Sequence, residues 1–232
     1  MSEHELERYT GTLVLEPLND GRQMKTMGNF GFLDGDGKHW TIPPRSILDG
    51  TSMPGTMSSS FGGPFKGKYR DAFAVYDYYC ALRTNEWRSV HRMFHRAMLV
   101  SGISAIRAKL VSAGLYFAGP HWGSAAQPGQ SSNASQASPA NVLYSIARDP
   151  VALAVSEAIE CDGASAFDWI TAKRRVDGNA AVTLRLDKIY SMVEEDAPSL
   201  ASLEAAIDYA VGLIPDVEGA PRLISVGRKL LE

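Results

Sequence analysis

His91 and His95 stand four residues apart in a run of helical periodicity, and Asp77 precedes His91 by fourteen residues in an aromatic-rich segment. Positions i and i+4 share one face of an α-helix, so both imidazoles can address the same space. Together with Asp77 and Asp49 they supply nitrogen and oxygen ligands of the kind that hold a divalent metal such as zinc, with positions left open for water. A metal so held would lower the pKa of a bound water toward neutrality and make it a hydrolytic nucleophile. Two features oppose this. Arg92 follows His91 where a zinc protease carries glutamate, and Arg92 and Arg96 make the face electropositive.

A metal-free reading uses the same residues. Asp77 and His91 are the candidate catalytic pair, the carboxylate fixing the imidazole tautomer while Ser52, Thr51 or Tyr76 offers a hydroxyl. The loop Asp49-Gly-Thr-Ser-Met-Pro lacks the Gly-x-Ser-x-Gly elbow, and Asp49 reads more simply as a turn former bonding its own backbone. A third reading is structural: His91 hydrogen-bonds Asp77 between two helices and His95 is solvated. This one leads, because an i,i+4 histidine pair without its partner motif is weak evidence of chemistry. Ser52, Tyr76, His121 and Trp122 are the candidate binding residues, the last two either closing over the site or packing as a lid.

The elements that must position these groups are legible in outline. Tyr9 to Glu16 reads as strand, and Phe30-Gly-Phe-Leu meets Trp40-Thr-Ile across Asp34-Gly-Asp-Gly, a hairpin whose turn needs positive φ. A loop rich in Gly, Ser and Pro spans Ile47 to Lys66. Three helices follow: Lys68 to Leu82 with Tyr69, Phe73, Tyr76 and Cys80 on one stripe; Asn85 to Val100 with Thr84 or Asn85 as N-cap; and Ile103 to Ala118, stopped by Gly119-Pro120. Gly123 to Pro139 has linker composition. Beyond it, Asn141 to Arg148 and Asp149 to Glu160 read as helices, Val182 to Leu186 as strand, and Ser199 to Leu213 as an amphipathic helix, with the tail from Arg222 to Leu231 ambiguous. The expectation is an α+β protein, in which a small antiparallel β-sheet or hairpin packs on a three-helix unit. Its parts are a domain over 1–122, a flexible linker over 123–139, and a mostly helical C-terminal unit over 140–232.

The net charge of -3, with both signs interspersed, gives no basic stripe and no case for nucleic acid. The short run Lys173-Arg174-Arg175 reads as a solvated turn, and Phe61-Gly-Gly-Pro does not follow a strand as a dinucleotide site would. Cys80 and Cys161 lie far apart without metal-ligand spacing and read as reduced core residues of a cytosolic protein. An acidic N-terminus and the lack of any long apolar run imply no signal peptide and no membrane span. The expected location is cytoplasmic as synthesised, with export left open to a phage particle or a specialised secretion machine.

From about Tyr9 to Trp122 the chain resembles a phage-associated, largely uncharacterised family, domain of unknown function 1353. That family is marked by a Thr-Asp-Gly-Ala-Ser-Ile-Pro loop, a His-Asp-x-x-Tyr helix, and an Arg-x-x-Ala-Asp-x-x-Phe-x-x-Ala-Met helix. Here the loop is Leu48-Asp49-Gly50-Thr51-Ser52-Met53-Pro54, the first helix has Tyr76-Asp77-Tyr78-Tyr79-Cys80, and the second runs Arg88-Ser89-Val90-His91-Arg92-Met93-Phe94-His95-Arg96-Ala97-Met98. Asp77 keeps its place, but the first helix's His is Tyr76 and the second helix's Asp is His91. The resemblance implies a site location and a phage or mobile-element context, and no enzyme class. The functional expectation is a phage or prophage accessory protein in tail assembly or host interaction, with a protein partner. The alternative is a metal-dependent or Asp-His hydrolase acting on a cell-envelope or similar target.

Overall fold

The computed structural model describes residues 7–19, 22–53, 64–122, 171–176, 180–185, 189, 191–194 and 197–210. The linker, the two helices expected over 141–160 and the tail after 222 lie outside these residues.

The N-terminal half builds two small antiparallel sheets. One has the order β1 (Arg8–Thr10), β4 (Phe30–Leu33), β5 (His39–Ile42), and the other the order β2 (Leu15–Pro17), β3 (Met24–Thr26), β6 (Ile47–Leu48). The strand expected over Tyr9 to Glu16 is therefore two strands in different sheets. Gly11 turns the chain between them at φ +79°, where an added Cβ would lie 2.5 Å from the Asn29 carbonyl. The β4–β5 hairpin forms as expected, with Phe30 opposite Ile42 and Leu33 opposite His39. Its turn is organised by the buried Asp34 carboxylate, which accepts from the Asp36 and Lys38 amides at 3.0 and 2.9 Å and from the Trp40 indole at 2.8 Å. Three donors on one buried carboxylate satisfy the turn's amides and fix Trp40 in the core at once.

Three helices pack on these sheets: α1 (Arg70–Leu82), entered through the 3₁₀ turn Gly67–Tyr69, α2 (Trp87–Val100) and α3 (Ala105–Ala118). Neither Thr84 nor Asn85 caps α2, whose N-cap position is Glu86; Asn85 instead accepts from Lys38 through its side chain and from Trp122 through its carbonyl. Ser104 caps α3 by accepting from the Arg107 amide. The stripe Tyr69, Phe73, Tyr76 and Cys80 is buried, together with Ala72, Ala74, Val75, Asp77 and Tyr79, so α1 is a core helix rather than a one-faced one. It lies among Phe32, Trp40, Ile42, Phe94 and Met98. Tyr9 stacks on Phe30 and donates its hydroxyl to the Ala97 carbonyl at 2.8 Å, which ties the first sheet to α2.

Beyond these helices, β7 (Thr171–Val176) and β8 (Ala180–Arg185) form a second hairpin, and α4 (Leu200–Ala210) packs against α3. Lys173, Arg174 and Arg175 lie within β7, not in a solvated turn, because they pair residue by residue with Thr183, Val182 and Ala181. The α+β class holds. Among the described residues no helix is long and apolar enough to cross a membrane.

Candidate functional site

Asp77 faces the loop that follows β6. Its Oδ2 accepts the amides of Asp49 and Gly50, both at 3.1 Å, and its Oδ1 accepts the Ser52 amide at 3.2 Å. Asp49 in turn accepts from the amide and hydroxyl of Thr51 at 2.9 and 2.7 Å, the side-chain-closed turn expected of it. Gly50 sits at φ +71° and an added Cβ would come 2.7 Å from Pro64, so glycine alone fits this bend. The loop thus presents successive backbone N–H groups to an anion, and the anion is Asp77. At 2 % exposure the carboxylate is nearly dry. Burial pushes its pKa up to about 6 against the opposing pull of the Ser52 and Gly50 hydrogen bonds. Cys80, one turn on, is a free buried thiol whose pKa burial pushes well up, which makes it inert.

His91 lies elsewhere. Tyr76 and Asp77 are neighbours on α1 and project about 100° apart, so one reaches α2 while the other reaches the loop. His91 Nε2 is 3.2 Å from the Tyr76 hydroxyl, and its ring is packed by Trp87, Tyr76 and His121 at centroid distances of 5.1, 5.5 and 5.9 Å. The Asp77–His91 hydrogen bond expected from the sequence is not the one either residue makes. Burial, and then the neighbouring His121, lower the His91 pKa to about 3, so the ring is neutral at physiological pH. The Pro120 carbonyl opposes that shift, yet Nδ1 has no partner of good hydrogen-bond geometry.

His95, one turn further along α2, is half-buried rather than solvated, with Nε2 cut off from water and unpartnered. Burial, with help from Lys109 and Arg96, lowers its pKa to about 4. The set Asp49, Asp77, His91 and His95 therefore divides into three places. Among the described residues no group of three or more His, Cys, Asp or Glu side chains is placed to hold a metal ion.

The candidate binding residues divide as well. Ser52 belongs to the Asp77 loop, and Tyr76 to His91. His121 donates through Nε2 to the Tyr116 carbonyl at 2.7 Å and meets Trp87 edge-on, while Trp122 donates to the Asn85 carbonyl at 2.7 Å. The segment after Gly119-Pro120 thus closes the His91 cluster from one side. Trp87 and Tyr116, which complete the cluster, were not among the expected site residues. Aromatic spacing alone does not separate them from ordinary core.

The arginines of α2 are not an open cationic face. Arg88, Arg92 and Arg96 follow each other at four-residue intervals, and each finds carboxylates from a distant segment: Asp208, Glu204, and the pair Glu7 and Asp36. The spacing is visible in the sequence, but the partners come from both ends of the chain.

Residues 24–115 match the model of a family described as a protein of unknown function, DUF1353. Two uncharacterized proteins of Sinorhizobium fredii are similar to the chain. One, y4iH, is 31 % identical over 116 residues, which cover 50 % of this chain and 48 % of that protein. The other, y4jT, is 34 % identical over 94 residues, which cover 40 % of this chain and 28 % of that protein. The chain thus spans about half the length of the first relative and less of the second. No solved structure matches it. Tyr76 and His91, two of the positions at which the chain differs from the motif given above, touch through their side chains.

Two outcomes follow for the site. Asp77→Asn keeps the shape but turns an amide donor toward three backbone N–H groups. It should cost about 2–4 kcal/mol in urea unfolding and expose the amides of residues 49–52 to rapid hydrogen exchange; unchanged stability would contradict the anchor role. Tyr76→His and His91→Asp should each destabilise, while the double variant recovers at least about 1 kcal/mol. Strict additivity would show that the two positions are not energetically coupled.

Proposed function

Taking residues 24–115 as the DUF1353 segment of the chain, we propose that the protein is a non-catalytic accessory protein of a phage or prophage, working in tail assembly or host contact by binding a protein partner. The observation that carries this is the buried Tyr76–His91 contact. The family motif places a histidine and an aspartate at these positions, a combination able to share and move a proton. Here a phenol and a neutral imidazole stand there, and neither carries charge near neutral pH. The one motif carboxylate that remains, Asp77, spends both oxygens on loop amides. At these motif positions no oriented acid–base pair stands to activate water or a hydroxyl. The phage context rests on the resemblance, and the protein partner on the loss of acid–base equipment from an otherwise well-ordered site.

A second reading, a hydrolase acting on a cell-envelope or similar polymer, draws on one specific observation. The Nε2 of His95 is buried without a hydrogen-bond partner, so one imidazole nitrogen retains coordinating capacity. Metal analysis of protein purified without chelator separates the readings. The accessory role predicts well under one equivalent of metal, unchanged in His91→Ala and Asp77→Ala. A full equivalent of zinc lost in both variants would favour the hydrolase. In a host carrying the gene in a prophage, its deletion should lower the yield of infectious particles, with rescue by a His95→Gln copy; an unaltered yield would overturn the accessory role.

A further inference from the structure

The sheet β2–β3–β6 is apolar on both faces. Leu15, Met24 and Leu48 pack on the main core, and the register puts Glu16, Lys25 and Ile47 on the opposite face. One step further the Met27 amide donates to the Val14 carbonyl at 2.9 Å, so these two are the next cross-strand pair of that outer face. An antiparallel sheet with one face in the core ordinarily carries polar residues on the other. Here Val14, Met27 and Ile47 are 51 %, 52 % and 45 % exposed. They are three of the six exposed large hydrophobics among the described residues, so half of these gather on one small face. Beside them lie Glu16 and Lys25, bridged at 2.6 Å, with both side chains accessible to water. The edges of this sheet are poor templates for an added strand. β2 has three residues and ends on Pro17, which has no N–H to offer, and β6 has two. Contact through the face remains.

We propose that this face is the interface of a homodimer, with a second copy of the chain as its occupant. Its charge and apolar pattern is self-complementary. Consider a two-fold axis lying in the interface and running along the strands between β2 and β3. It sets each β2 residue of one copy over the β3 residue, in the other copy, that it pairs with inside its own chain. Glu16 then meets Lys25 and Val14 meets Met27, each contact made twice, opposite charge on opposite charge and apolar on apolar. An axis across the strands would instead lay Val14 and Met27 over Glu16 and Lys25. β6 lies one strand beyond β3, so Ile47 overhangs the β2 edge of the other copy and widens the apolar contact. The strands of the two copies run in the same direction, as in aligned sheet packing. Three short strands give less area than a standard interface, so the dimer is weak, with a dissociation constant on the order of 100 µM. The inference goes beyond the accessory role and does not depend on it.

Sedimentation velocity of the full-length chain, from about 10 µM to about 1 mM, tests this. The wild type should pass from monomer to dimer across that range. Met27→Glu brings a charge onto Val14 of the second copy and should weaken association at least roughly tenfold. Lys25→Glu and Glu16→Lys each set like charge against like and should stay monomeric alone. Mixed together, the two variants again place opposite charges face to face, and association should return. Rescue by mixing reads a contact between chains, which a change confined to one chain cannot imitate. All three positions lie at the surface of the sheet, and near-UV circular dichroism with a cooperative melt verifies that each variant is folded. A wild type that stays monomeric throughout would overturn the proposal and leave the face to a different protein. Association indifferent to Met27→Glu, or no association on mixing, would overturn it as well. Neither metal content nor particle yield enters these readouts, so failure here is distinct from failure of the accessory role.

Discussion

The buried carboxylate of Asp77 is the constraint on which the rest of the N-terminal half depends. A loop bent by Gly50 leaves the amides of residues 49, 50 and 52 pointing inward with no strand to receive them. Unsatisfied, each would cost a large fraction of a small domain's stability. A single carboxylate on α1 satisfies all three, and thereby sets the distance between helix and loop. With that distance set, the neighbouring Tyr76 meets α2, and Tyr79 on the same helix bonds both backbone groups of Thr41 in β5. Asp34 does the same work at smaller scale in the hairpin turn. In both places an aspartate that could be taken for a chemical group serves as the anion that a cluster of backbone donors requires.

The second organising feature is the arginine series of α2. Its three guanidinium groups reach an N-terminal residue, the β4–β5 turn and α4, so one helix surface gathers segments far apart in the chain. Exposed ion pairs of this kind contribute little stability individually. The pair with buried Glu204 differs, because that carboxylate has left water and needs its partner. Charge here specifies which helix sits on α3, and apolar contact supplies most of the adhesion.

Much of the architecture was legible in the residues. Alternating apolar patterns, the Asp-Gly turn and the Gly119-Pro120 stop located the hairpin and all three helices of the first half to within a few residues. The break at Gly11 was not legible, since an isolated glycine in a strand-like run marks a bend only when the neighbouring backbone closes on it. The candidate residues do not assemble as their types suggest. A carboxylate satisfied by backbone amides has no sequence signature, because any residue can supply an amide, so the residue types alone point Asp77 toward an imidazole. The Tyr76–His91 contact was no more legible, since Met53 and Cys80 differ from the same motif and departure alone does not say which positions touch. The α4 contacts lay out of reach, since their partners are more than a hundred residues apart.

What distinguishes a structural cluster from a working one is the state of His91. A ring held neutral in a dry aromatic box cannot act as a base tuned near physiological pH, whereas a catalytic or zinc-binding imidazole must titrate or coordinate there. Long-range nitrogen–proton NMR of the labelled full chain reads this directly. The account predicts that the His91 ring nitrogens keep the shifts of neutral imidazole from pH 7 down to pH 5 and do not move on addition of one equivalent of zinc. A midpoint near the ordinary histidine value of about 6.5, or loss of the neutral signals at stoichiometric zinc, would contradict it.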